Sequence, residues 1–260
     1  RLGHDRIFDH MMLDGLEDSD EHGRSMVTFG DGCAAKYGFT RAEQDAFATA
    51  SVERAKAATA SGAFAAEITP VTVKSRAGET VVSVDEGPGK VKLDKIASLK
   101  PAFKKDGTIT AASSSSINDG AAALVMMRAS TATKLGCKPL ARIVGHATHA
   151  QEPEWFATAP LGATQKALAK AGWAVGDVDL WEINEAFAVV PMALMKELNL
   201  PHDKVNVNGG ACALGHPIGA SGARIMVTLI HALKARGLTK GLATLCIGGG
   251  EATAVALEIV

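Results

Sequence analysis

Several things are scarce in these 260 residues, and each scarcity removes a class of function. Net charge is −1 and no dense lysine/arginine run appears, which argues against a nucleic-acid binder. Aromatic residues make up only 5 %, while alanine and glycine are abundant, a composition suited to close helix–sheet packing. The four cysteines, Cys33, Cys137, Cys212 and Cys246, are far apart and form no CxxC pair. Neither a metal site nor a disulfide framework is expected, and reduced thiols in an intracellular, cytoplasmic setting are. No apolar run reaches the ~18 residues a membrane helix needs, and no signal peptide is visible. Methionine is missing from position 1, so the chain is expected to continue upstream of Arg1. What is present is a 47 % apolar content, enough for a substantial core in one large or two small domains.

Residues 1–38 carry an acidic cluster around Glu17–Asp18–Ser19–Asp20–Glu21 and read mostly as loop. Thr40–Arg41–Ala42–Glu43 is a capping box, which predicts a helix to about Ala60 that stops at Ser61–Gly62. Residues 68–73 and 80–84 look like strands joined at Arg76–Ala77–Gly78, and residues 85–108 like a long surface loop. The run Ser113–Ser114–Ser115–Ser116 reads either as a flexible linker or, because an apolar stretch follows directly, as an ordered loop entering a buried element; the second reading is preferred. Further on, strands are expected at 139–146, 178–183, 205–208, 242–247 and 253–259, and helices at 161–171, 186–198 and 220–235. Strands alternating with helices indicate an α/β layered domain, and the closing hairpin adds antiparallel strands at one side of the sheet.

The most informative stretch runs from Gly209–Gly210 through Gly215–His216–Pro217–Ile218–Gly219–Ala220–Ser221–Gly222 to Arg224. Glycine lets backbone approach a ligand closely. Pro217 forbids helix at His216 and suits the start of a helix just beyond it. His216 is therefore expected at the mouth of a helix, whose positive end favours a neutral imidazole able to act as a base. Asn184–Glu185–Ala186–Phe187 follows a strand directly, where α/β sheets usually place their sites, although Asn184 could simply cap the next helix. Cys246 reads as a small core residue, except that it stands at a strand end before Gly248–Gly249–Gly250. A thiol, an imidazole and an amide on three glycine-punctuated loops suit acyl transfer or carbanion chemistry.

These three segments, together with Asn206–Val207–Asn208–Gly209–Gly210, closely resemble the three C-terminal motifs of thiolases. The resemblance is densest over residues 139–260 and looser upstream. It implies a layered α-β-α-β-α fold with a mixed sheet and an inserted loop domain. It also implies a partition into a loop domain (1–115), the end of an N-terminal domain (116–138) and a C-terminal domain (139–260). Asn184 would hold a water that, with His216, forms an oxyanion hole. His216 would also take the proton of a nucleophilic cysteine, Cys246 would move the α-proton of acetyl-CoA, and the Gly248 backbone would line a second oxyanion hole.

Met26, Phe103, Ala111, Ser115, Phe156 and Phe187 resemble the coenzyme A and acyl pocket of the family. Val27 and Gly30–Asp31–Gly32 depart from the family pattern, and Phe156 replaces what is often methionine. No segment resembles the family's nucleophile motif, so the chain looks like the last two-thirds of a thiolase whose N-terminal segment is a partner or is simply absent.

The reaction implied is condensation of two acetyl-CoA into acetoacetyl-CoA through an acetyl-cysteine, with no cofactor beyond the coenzyme A thioester. A homo-oligomer, a dimer or tetramer, is implied with it. Mitochondrial or peroxisomal location stays open beside the cytoplasm. Competing readings are a degradative 3-ketoacyl-CoA thiolase, a non-catalytic coenzyme A-binding half, and a hydrolase with Cys246 as nucleophile.

Overall fold

The computed structural model describes residues 2–18, 21–102 and 104–260. A single π-helical turn at Met12–Leu16 precedes two longer helices. Helix α1 (Met26–Tyr37) is capped by Ser25, whose hydroxyl accepts from Val27 N at 3.4 Å, and ends at Gly38 in the left-handed region. It falls where loop was expected. One of the two glycines that mask it in the sequence is there for packing: a Cβ at Gly30 would overlap the Ile109 side chain and press on Phe187, whereas Gly32 faces open space. Helix α2 (Arg41–Ser61) has the predicted capping box, with Thr40 and Glu43 exchanging hydrogen bonds, and Gly62 closes it at φ 75°.

Strands β1 (Val71–Ser75) and β2 (Gly78–Val82) form an isolated antiparallel hairpin, shifted about two residues from the expected ranges and exposed on both faces. The stretch expected to be surface loop contains the short helix α3 (Gly87–Lys90) and a 3₁₀ turn at Leu93–Ser98. The serine run is an ordered loop: Ser113 is buried and exchanges hydrogen bonds with Thr110, and Ser115 N donates to Ala186 O at 3.0 Å. The buried element expected after it does not appear. Residues 118–128 have no regular structure, and Val125 is 89 % and Met126 69 % exposed. Helix α4 (Ala129–Leu135) follows, with Leu135 at its end also exposed.

The rest builds the scaffold. Strand β3 (Ala141–Ala150), helix α5 (Ala159–Ala171), strand β4 (Leu180–Ile183), helices α6 (Val189–Leu198), α7 (Ala211–Leu214) and α8 (Ser221–Arg236), and strands β5 (Lys240–Ile247) and β6 (Glu251–Ile259) follow in order. The sheet runs β3-β6-β5-β4, with β4 and β5 parallel and the other pairs antiparallel. One face carries Trp181, Ile183, Leu242 and Cys246 against α5, α6 and α1. The other carries Leu180, Ala243 and Leu257 against Ile225, Leu229 and Leu233 of α8. Buried alanines on α5 (Ala159, Ala163, Ala167) let it lie close to the sheet, which is the use the alanine-rich composition serves.

The strand expected at 205–208 reduces to one bridge, Trp181 to Val205. Asn206 takes over with its side chain: Oδ1 accepts from Ile183 N and Nδ2 donates to Ile183 O, both at 2.8 Å. The amide thus stands in for a ladder rung, at a residue with φ 47° that a strand could not hold. Among the described residues no helix is long and apolar enough to cross a membrane.

Candidate active site

Parallel strands β4 and β5 end side by side, and two of the three chemical side chains stand at that edge. Asn184 is one residue past β4, and its N–H donates to Thr244 O of β5 at 3.0 Å, two residues before Cys246. Residues 184–188 do not enter helix α6 directly. They form a turn tied to the serine loop through Ala188 N to Ser113 O at 2.8 Å and through the Ser115 hydroxyl to Ala186 O at 3.0 Å. Asn184 therefore caps no helix: α6 begins five residues later, and Asn184, 1 % exposed, is free for other work.

Its Nδ2 lies 3.5 Å from His216 Nε2, the outer limit of a hydrogen bond. His216 is held from both sides. Its N–H donates to Ser116 O at 3.0 Å, and its Nδ1 sits 2.6 Å from the Ser221 hydroxyl at the first residue of α8. Ser221 in turn donates to Pro217 O at 3.0 Å. A hydroxyl has a single hydrogen, so Ser221 accepts from Nδ1–H and leaves Nε2 with its lone pair aimed at Asn184. The imidazole has its pKa pushed down to about 4, first by burial and then by the positive charge of Arg224. The ring is therefore neutral at physiological pH, through burial and Arg224 rather than through the helix end on which the sequence expectation rests. Gly215 is required beside it because a Cβ there would overlap the Asn118 side chain, in backbone at φ 88°.

Cys246 is buried on the α5 face of the sheet among apolar neighbours, and burial pushes its pKa up to about 12. It rests as a thiol, a proton donor before it is a base. It makes no hydrogen bond to Asn184 or His216 among the described residues. The three groups share one edge of the sheet, but only the imidazole and the amide touch. Past Cys246, the turn Gly248–Gly250 has φ 92° and 94° at its last two residues, and a Cβ at Gly250 would overlap the Gln151 carbonyl. Met26, at the start of α1, covers Gly248 so closely that a Cβ there would lie 3.5 Å from its Cε.

The other expected residues divide. Phe156 and Phe187 pack edge to face with ring centres 6.4 Å apart, and both share the apolar cluster of Met26 and Cys246. Ser115 lies against the turn that holds Asn184. Ala111 is exposed on a turn leading into the serine loop. Phe103 lies outside the described residues.

Sequence reasoning overlooked three supports. Ser221 fixes the His216 ring. Glu182, buried, and Arg224, partly buried, pair at 3.7 Å on the strand that leads into Asn184 and the helix that begins at Ser221. Glu185 is 0 % exposed and fully partnered: Oε2 accepts from the Ser51 hydroxyl at 2.7 Å and Cys212 N at 3.0 Å, and Oε1 from Asn206 Nδ2 at 2.8 Å. That carboxylate pins α2, the Asn184 turn and the glycine-rich loop together, and a Cβ at Gly210 would collide with it. An acidic residue directly after the site asparagine was the available signal. Among the described residues, no group of three His, Cys, Asp or Glu side chains could hold a metal ion.

The family profile for the thiolase N-terminal domain matches residues 1–130, and that for the thiolase C-terminal domain matches residues 137–259. The acetyl-CoA acetyltransferase of Chromobacterium violaceum is 52 % identical over 260 residues, 99 % of this chain and 66 % of that protein. The Escherichia coli acetyl-CoA acetyltransferase is 50 % identical over 259 residues with the same shares. The crystal structure of the Bacillus anthracis acetyl-CoA acetyltransferase superposes with a TM-score of 0.95 at 46 % identity, covering 100 % of this chain and 66 % of that one. Human mitochondrial 3-ketoacyl-CoA thiolase gives 0.90 at 36 %, again covering 100 % and 66 %. The chain thus spans slightly under two-thirds of the length of these relatives.

Proposed function

The chain belongs to the thiolase family, and on that premise we propose that it carries the acid–base half of an acetyl-CoA acetyltransferase, condensing two acetyl-CoA into acetoacetyl-CoA and coenzyme A. The observation that carries this reading is the neutral His216, locked by Ser221 with Nε2 turned toward Asn184. The nucleophilic cysteine is assigned to sequence outside these 260 residues. Its thiol gives its proton to His216 Nε2, and the thiolate adds to the carbonyl carbon of acetyl-CoA. The protonated ring, with a water held by Asn184, donates to the developing oxyanion. As the carbonyl reforms, the C–S bond to coenzyme A breaks and Cys246 gives its proton to the departing thiolate.

Cys246 is now a thiolate in an apolar setting, and its high proton affinity makes it a strong base. It removes the α-proton of a second acetyl-CoA whose carbonyl faces the Gly248 turn. The carbanion attacks the acetyl-cysteine carbonyl, the C–S bond to the cysteine breaks, the released thiolate takes back the proton held on His216, and acetoacetyl-CoA leaves. Phe103, Ala111 and Ser115 are assigned to the coenzyme A pocket, Met26 to its pantetheine end, and Phe187, with Phe156 against it, to the acyl-pocket wall.

The proposal includes the partition into loop domain (1–115), end of the N-terminal domain (116–138) and C-terminal domain (139–260). It also includes a cytoplasmic homo-oligomer. The apolar residues exposed at 117–127 support a covering by further thiolase chain, since Ile117, Val125 and Met126 are each more than half exposed.

The test is labelling of the full-length enzyme with radioactive acetyl-CoA followed by peptide mapping. Acetyl on a cysteine outside these residues, with turnover in both directions, is the expected result. Acetyl on Cys246 would favour a hydrolase instead, and no label at all would favour a coenzyme A-binding half.

A further inference from the structure

Strand β3 leaves the sheet beside the Gly248–Gly250 turn, and the residue at that exit is Gln151. The β3–β6 ladder ends at Ala150 and Glu251, and Glu251 also pairs with Ile247, the last residue of β5. One residue further, Gln151 N donates to Gly250 O at 2.9 Å, a rung beyond the named strands. A Cβ at Gly250 would overlap the Gln151 carbonyl and press on the Glu152–Pro153 peptide. The turn is therefore sealed by the backbone of Gln151, against a residue held at φ 94° that only glycine fits.

The Gln151 side chain fixes that backbone. Its Nε2 donates to Trp155 O at 2.6 Å and to the Thr158 hydroxyl at 2.8 Å, both in the 3₁₀ segment Pro153–Thr158. Thr158 donates its own hydrogen to Trp155 O at 2.9 Å, so its oxygen is the acceptor toward Gln151. Both amide hydrogens are thus committed, and Oε1 accepts from His149 Nε2 at 3.2 Å. Lys166 of α5 has only hydrogens to offer; it donates to His149 Nδ1 at 3.1 Å and so selects the Nε2–H tautomer. The ring lies so close to α5 that a Cβ at Gly162 would overlap it. The amide is held in one orientation, from α5 at one end to the 3₁₀ segment at the other.

Two parts of the proposed thioester site meet at this residue. The Gly248 turn is assigned to the carbonyl of the second acetyl-CoA. Phe156, buried two residues before Thr158, stands against the acyl-pocket wall. Gln151 holds the first through its backbone and the second through its amide. None of its hydrogen bonds reaches Asn184 or His216 among the described residues.

We propose that Gln151 is a positioning residue for the carbanion half of the reaction: its side chain clamps the Gly248–Gly250 turn against the second thioester, and acetyl transfer to the nucleophile does not depend on it. This rests on the role proposed for that turn, since donors stabilise an enolate oxygen only when they are fixed beforehand. In the full-length enzyme, Gln151→Met keeps the length of the side chain and removes its hydrogen bonds. Three quantities are measured. They are the rate of condensation, the rate at which acetyl passes from acetyl-CoA to labelled coenzyme A, and amide deuteration of peptides covering 184–188 and 248–250.

Condensation should fall by about 10–10²-fold, the scale of a displaced reacting group, while acetyl passage keeps its wild-type rate. Deuteration should quicken at 248–250 and not at 184–188. Thr158→Val, which removes one of the two acceptors, should give the same pattern more weakly, and Thr158→Ser, which keeps the hydroxyl, should match the wild type. A merely structural role lowers both rates together; that result, unchanged condensation or unchanged deuteration at 248–250 overturns the inference. If Gln151→Met does not fold, Thr158→Val against Thr158→Ser decides by the same criteria. If wild-type enzyme transfers no acetyl group, the functional reading fails, and deuteration at 248–250 still decides whether Gln151 holds the turn.

Discussion

A few hydrogen-bond distances fix which nitrogen of the His216 ring carries the proton. The 2.6 Å contact from Nδ1 to Ser221 decides the tautomer, and the tautomer decides which nitrogen is a base. Ser221→Ala leaves Nδ1–H without that acceptor and the ring free to turn, so kcat should fall while KM changes little; a change in KM alone would contradict the assignment. Asn184→Ala removes one contributor to the oxyanion site and should lower kcat by about 10²–10³, the usual scale for such a group. His216→Ala and Cys246→Ala should abolish condensation with near-wild-type circular dichroism. Retention of rate in either would show that the proton passes through other groups.

At the scale of elements, the site is an edge where two parallel strands end and three turns converge. Glu185 fastens those turns, with four donors or close neighbours drawn from α2, the 206 region and α7. Glu185→Ala would leave the Ser51 hydroxyl and Cys212 N–H buried without an acceptor and take one of two acceptors from Asn206 Nδ2, at a cost of about 3–5 kcal/mol in a denaturant midpoint measurement. A loss below about 1 kcal/mol would mean that the turns are held by packing alone. The elements most readable in the sequence were those with local punctuation: α2 with its capping box and terminal glycine, α5 and α8 with their glycine stops.

Those misread had non-local causes. Helix α1 carries a glycine, Gly30, that only Ile109 and Phe187 explain, and the 205–208 strand gives way to an asparagine side chain that copies a strand's hydrogen bonds. The segment after the serine run was expected to be buried because it is apolar, but burial needs a neighbour, and none of the described residues covers Val125.

Across the whole molecule, stability should depend on pH from two sides. The Glu182 carboxyl has an ordinary pKa of 4.5 and is pushed up to about 8 in the fold. Between those values the native state keeps a proton that the unfolded chain has released, so this contribution is full below pH 4.5 and drains away as pH rises toward 8. His216 moves from 6.5 down to about 4, so its contribution is full above pH 6.5 and drains away as pH falls toward 4. The melting temperature of Glu182→Gln should therefore decline less than that of the wild type between about pH 6 and 8. Parallel declines would show that Glu182 does not hold its proton in the fold.

A second expectation concerns the exposed apolar segment at 117–127. The 260-residue chain alone should bind a hydrophobic dye and self-associate, and a chain of the relatives' full length should do neither. Equal dye binding would show that this surface stays open in the complete protein.

The sequence alone marked His216, Asn184 and Cys246 as the candidates, because the glycine, proline and small residues around them record close approaches of backbone. It also determined the helix ends, since caps are local. Tertiary structure alone decided that Asn184 faces His216 while Cys246 bonds to neither, that Ser221 selects the ring nitrogen, and that Glu185 ties the surrounding turns together. Those outcomes depend on distances between strands and helices far apart in the chain, and no pattern along one strand of sequence encodes a distance across a fold.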